Sequence, residues 1–149
     1  MSLSNLLPAD ARDYRGPGFV RWIAMAYLLV LTIRSLIHVI APDGGAQTIA
    51  TIDTSGADGS NIIAIFGQLG AIQLLLAGLL WVLLLRYRGL TPLVLLVFLI
   101  EPVLRAVTAH AKPLEAIGTP PGAALNWVAV PVMAVLLIVS LRSGEERPA

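Results

Sequence analysis

Four long apolar runs dominate the chain, and each is bounded by glycine, proline or charged residues. The first, FVRWIAMAYLLVLTIRSLIHVIA, covers about 19–41 and ends at Pro42. The second covers about 62–85 and stops at Arg86-Tyr87-Arg88-Gly89, a tight basic turn. The third covers about 90–110, with Pro92 in its first turn, where the missing N–H costs little. The fourth covers about 123–141 and gives way to a polar tail. Each run is close to the roughly 20 residues that a helix needs to cross hydrocarbon. All four are too long for ordinary strands, and none alternates as a barrel strand does. The pattern predicts an all-α fold, a transmembrane four-helix bundle, as a single integral membrane domain over residues 1–149.

The segments between the runs are short and turn-rich. Residues 1–18 are polar and end in Gly16-Pro17-Gly18, which reads as a short cytoplasmic or interfacial arm. The first apolar run is too long for a signal-peptide core and lacks a small-residue cleavage site, so it reads as a retained helix. The loop at 42–61 is acidic, and its TIATIDT stretch alternates apolar and polar residues, as a short extended piece would. The second loop carries two proline turns, Lys112-Pro113 and Gly118-Thr119-Pro120-Pro121-Gly122, and the latter launches the fourth helix.

Composition agrees with the membrane reading and narrows the chemistry. Charged residues make up 13% of the chain, against about a quarter in soluble domains, and the mean hydropathy is +0.83. A net charge of +1 without a basic stripe argues against nucleic acid as a partner. With no cysteine, thiolate metal sites, disulfides and thiol catalysis are excluded. There is no HExxH, no paired-carboxylate motif and no Gly-rich phosphate loop, so neither a metal site nor a catalytic set is assigned.

Lysine and arginine in short flanking loops set membrane orientation. One side holds Arg12, Arg15, Arg21, Arg86, Arg88, Arg142 and Arg147. The other holds only Lys112 among its loop residues, with Asp43, Asp53, Asp58 and Glu115. Both termini are therefore expected in the cytoplasm.

Orientation turns sequence position into depth, at about 1.5 Å per residue. Arg34 falls two turns below the outer end of the first helix, and Gln68 of the second helix falls at a similar depth. Gln73 lies nearer the centre. Glu101 is near mid-membrane on the third helix, with Arg105 a turn above it. His38 and His110 fall at the outer surface, and Asn126 in the first turn of the fourth helix. Arg34 and His38 share one helical face, as do Glu101 and Arg105, so inward-turned stripes would make one polar cluster opening outward. Ionised groups are costly in hydrocarbon and mark a partner, a cavity or a ligand.

Three readings of the cluster stay open. Arg34 pairs with Glu101 and merely fixes helix register; or Arg34 reaches up to the interface; or the two arginines and one glutamate leave a charge of +1 that needs an anion. Pro102 lies inside the third helix, where it frees the carbonyl of Phe98 and bends the axis. Gly67, Gly70, Ala71, Ala77 and Gly78 make the second helix suited to close packing. Two histidines at one depth also fit bis-histidine haem b, although both fall at the interface, where histidine is common. Asp53, Ser55 and His110 share the outer side without a catalytic signature.

Phe66-Gly67-Gln68 at the second helix, Arg86-Tyr87-Arg88 at its end, Glu101 and Arg105 in the third, and Gly118-Thr119-x-Pro121-Gly122 before the fourth carry a resemblance. Over residues 62–131 the chain resembles the small bacterial four-helix membrane proteins of the DoxX-like families. The resemblance implies the fold, and by analogy with an oxidase complex an accessory-subunit role; it transfers no activity.

The expected function is therefore non-enzymatic. The chain is an accessory subunit of a larger membrane complex, or a homo-oligomer, or a binder of an anionic amphiphile among membrane lipids. Arg34, Gln68, Glu101 and Arg105 form the site, with His38, His110 and Asn126 as secondary candidates, and no cofactor is required. The alternatives are a proton-coupled or small-molecule transporter using Glu101, and a haem b electron-transfer subunit.

Overall fold

A computed structural model of the chain describes residues 5–142, the side chains of 121–124 and 126 excepted. Four helices follow one another: α1 (Gly18–Ile40), α2 (Gly59–Arg86), α3 (Thr91–Ala111) and α4 (Pro121–Ser140). A single 3-10 turn, Arg88–Leu90, joins α2 to α3. The described residues contain no strand. Three of the helices are long and apolar enough to cross a membrane, and the stretch Trp127–Ser140 of α4 is a shorter apolar helix.

The helix limits follow local chemistry. Pro17 precedes α1 in an extended conformation, and Ala41 closes it by bonding back to Ile37. The second helix starts at Gly59, one turn before its apolar run, because Asn61 and Ile62 already donate to the Asp58 carbonyl. Hydropathy alone misses that polar turn. The TIATIDT segment forms no strand: residues 48–50 lie in turns and 51–54 have no regular structure. Ile49 and Ala50 both donate to the Gly45 carbonyl, closing a helical turn.

Packing is concentrated at one end. Val20, Ala24 and Leu28 of α1 meet Ala77, Leu80 and Leu84 of α2, with Val94, Leu95 and Phe98 of α3 and Met133 and Leu136 of α4. All of these lie in the half nearest the termini. Lipid is as apolar as these side chains, so close fit rather than escape from water holds them together. Tyr27 stands edge-on to Phe98, ring centroids 5.0 Å apart, at the upper limit of this core.

Beyond the core the helices diverge in behaviour. The α1–α2 pair stays in contact to its far end, where Gly70 lies against His38 and Ser35. The other pair does not. From Val103 through Thr119 every residue except Arg105 is exposed, and Pro102 is the last buried residue of α3. A helix exposed on all faces is not packed along its length, so this half of α3 stands away from α1 and α2. A second interior proline, Pro131, lies in α4 just before its buried part begins.

The N-terminal arm is docked rather than free. Gly89 donates to the Ala11 carbonyl (2.8 Å), Tyr14 and Ser140 share a hydrogen bond of 3.1 Å, and Asn5 donates to the Leu141 carbonyl (3.1 Å). Burial raises the Tyr14 phenol above its ordinary pKa, and the Ser140 hydrogen bond opposes the shift. At the opposite end the two long loops meet. Ile117 donates to the Thr51 carbonyl, and Thr51 Oγ1 donates to the Gly118 carbonyl, each at 2.8 Å. Thr51 makes this tie from a left-handed backbone (φ +55°), a conformation that costs a β-branched residue about 1–3 kcal/mol.

Candidate functional site

The polar groups of α1, α2 and α3 form a layer immediately above the core. Arg34 Nη2 donates to Gln73 Oε1 at 3.3 Å. Ser35 Oγ lies within hydrogen-bonding distance of both the Leu31 carbonyl and Gln73 Oε1, at 2.8 and 3.2 Å. One turn below, Trp81 Nε1 donates to Thr32 Oγ1 (3.1 Å), which donates in turn to the Leu28 carbonyl (2.7 Å). These bonds set the register of α1 against α2.

On α3, Arg105 Nη2 pairs with Glu101 Oε2 at 3.4 Å, one turn apart. Both side chains are about one-third exposed (34% and 33%), so the pair faces the edge of the molecule rather than its interior. Arg34 senses both charges across the gap, repelled by Arg105 and attracted by Glu101, and Tyr27 lies in the same field. Among the described residues no carboxylate is within salt-bridge reach of Arg34. Its Nε is buried and makes no hydrogen bond there.

Two of the sequence expectations change on this geometry. The α2 partner of Arg34 is Gln73, whereas Gln68 is exposed. His38 lies in the last turn of α1 and is buried there: it is 6% exposed, its Nδ1 donates to the Gly44 carbonyl at 2.7 Å, and Phe66 stands edge-on to it at 5.5 Å. Gly44 and Gly45 make room for it. Both hold left-handed backbones (φ +59° and +71°), and a Cβ on Gly45 would lie 2.8 Å from His38 Nδ1. The histidine therefore pins the C-terminal end of α1 to its following loop. His110 is exposed at the end of α3, and the side chain of Asn126 lies outside the described residues.

Compared with known proteins, the chain matches no family model, no curated protein and no solved structure. The site must be read from its own residues.

The remaining outer-side candidates form local turns. Asp53 Oδ1 accepts from Ser55 N (2.9 Å) and Ser55 Oγ (2.7 Å), a two-residue loop closure that lowers the Asp53 pKa and leaves His110 out. Asp43 accepts from Gly45 N (3.0 Å), Gln47 N (3.2 Å) and Thr48 N (2.8 Å). These backbone donors, Thr48 foremost, hold its carboxyl at about 2 rather than 3.8. Neither aspartate contributes to the charged layer. What the layer offers is one arginine with a donor that is unused among the described residues, beside an arginine–glutamate pair whose side chains are one-third exposed.

Proposed function

We propose that this protein is a non-enzymatic multi-pass membrane protein that holds the anionic headgroup of an amphiphile at Arg34, beside Glu101 and Arg105. The observation that carries the reading is the state of Arg34. Among the described residues it has one neutral amide as its partner, a buried Nε without a hydrogen bond, and no carboxylate in reach. A guanidinium keeps its proton, so inside hydrocarbon it requires an anion or water. The exposure of α3 beyond Pro102 supports entry from the side, which suits a lipid-like molecule better than a soluble one. In the same reading α4 crosses the membrane as a fourth span, and the arginine-rich end faces the cytoplasm of a bacterial inner membrane.

A second reading rests on the same exposed stretch: the bare outer half of α3 docks on a helix of a larger membrane complex, as the DoxX-like resemblance implies. One experiment separates the two. The protein is extracted in native lipid particles and analysed by mass spectrometry, as wild type and as Arg34→Gln. The proposal expects an anionic amphiphile at stoichiometric occupancy in the wild type and its loss in the variant. A stoichiometric protein partner retained by both, with no such amphiphile, would overturn it.

A further inference from the structure

A second basic site lies at the end that carries both termini, far from the layer around Arg34. The docked arm, the first turn of α1 and the Arg88–Leu90 turn enclose a cleft of ≈ 330 Å³ whose walls include Arg12, Asp13, Tyr14, Arg21, Trp22 and Arg88. Three arginines and one aspartate give it a formal charge of +2, and the aspartate is already engaged. Arg15 Nε donates to Asp13 Oδ2 at 2.8 Å, and this contact raises the arginine's pKa further. Arg21 is anchored by its Nε on the Leu84 carbonyl at 2.8 Å, which fixes its guanidinium at the wall. The side chains of Arg12 and Arg88 make no hydrogen bond or ion pair among the described residues.

The cleft also has an apolar edge. Trp22 lines it and is 68% exposed, and Phe19, one turn earlier on α1, is exposed as well. Aromatic residues at the start of an apolar helix sit at headgroup level, with their rings toward the acyl chains. We infer that this cleft seats the phosphate of an anionic lipid headgroup from the leaflet on the arginine-rich side. Arginine forks match phosphate geometry. The aromatic edge favours a phosphate that carries acyl chains over free phosphate in water. The site is independent of the one at Arg34, which lies above the core and toward the other leaflet.

The test uses the full chain in lipid nanodiscs, either wholly phosphatidylcholine or mixed with phosphatidylglycerol. The melting temperature of the wild type is expected to be several degrees higher in the mixed discs. The Arg12→Gln/Arg88→Gln double variant should melt like wild type in phosphatidylcholine and lose most of that increment. The Arg86→Gln/Arg142→Gln double variant removes two charges from the same end but none from the cleft, and should keep it. An unchanged increment in the first variant, or an equal loss in the second, would overturn a seated headgroup. Millimolar inorganic phosphate, added to protein in phosphatidylcholine discs, should leave the melting temperature unchanged. A rise matching that of the anionic lipid would overturn the lipid as the source of the phosphate.

Discussion

Arg34 meets Gln73 across the α1–α2 interface at 3.3 Å, and the amide is its sole hydrogen-bonding partner outside its own helix among the described residues. A neutral acceptor positions the guanidinium without cancelling its charge. Replacing Gln73 with Glu would cancel it. Gln73→Glu is expected to raise the melting temperature through a charge-assisted bond contributing about 1.5–3 kcal/mol, and to abolish anion retention. Gln68→Glu is expected to do neither, because Gln68 is exposed. Thermal melting and lipid mass spectrometry on the two variants check the pair.

Glu101→Gln gives opposite outcomes for anion binding and proton transport. Removing the carboxylate takes one negative charge from the layer, so an anionic headgroup should bind more tightly, by about fivefold or more at the effective dielectric of a partly exposed site. A transporter that used Glu101 as its proton carrier would instead lose proton-coupled flux. Affinity measured by lipid exchange in nanodiscs decides between them.

The glycines of α2 are not equivalent. A Cβ at Gly70 would lie 2.6 Å from His38 Cβ and 3.0 Å from the Ser35 carbonyl, whereas nothing lies within 4 Å of one at Gly78. Gly70→Ala should therefore part α1 from α2 and cost about 1–3 kcal/mol by overpacking. Gly78→Ala should be neutral or stabilising by up to about 1 kcal/mol through helix propensity. Melting temperatures in one detergent compare them directly.

The arm offers a local readout. At Gly89 a Cβ would lie 2.8–2.9 Å from the carbonyl oxygens of Asp10, Ala11 and Asp13. Gly89→Ala should expel the arm while the helices remain, so limited proteolysis between residues 5 and 16 should accelerate with little change in helical circular dichroism.

Asp43 sets an acid limit on the outer loop. Its carboxyl titrates at about 2 in the folded chain against 3.8 otherwise. A depressed pKa stabilises the fold above the unfolded value, and this contribution is lost as pH falls from about 4 through about 2. The wild type should lose melting temperature across that window more steeply than Asp43→Asn, whose side chain does not titrate there.

The helices were legible in the sequence because a membrane-crossing helix must be long and apolar, and little else fits that pattern. Position along each helix was legible too, since it follows from counting residues. Azimuth was not. Gln68 and Gln73 are five residues apart, which turns them about 140° from one another around α2. Only one of them can face α1. The choice depends on which stripe packs there, and Gly70 and Ala77 reveal it once the pair is seen together. The three readings of Arg34 (pairing with Glu101, reaching the interface, or a charge that needs an anion) did not include the neutral partner Gln73. His38 gave no sequence sign of burial, because the glycine turn that receives it lies six residues later and looks like any loop.

The docking of the arm has a consequence for the order in which the chain is made. Residues 5–16 leave the ribosome ahead of α1–α4, yet their partners at Gly89, Ser140 and Leu141 are synthesised much later. The arm can therefore close in two steps, on Gly89 once α2 has been made and on Ser140 and Leu141 only after α4. Its full closure over the helices is a seal that only a chain made through Leu141 can form.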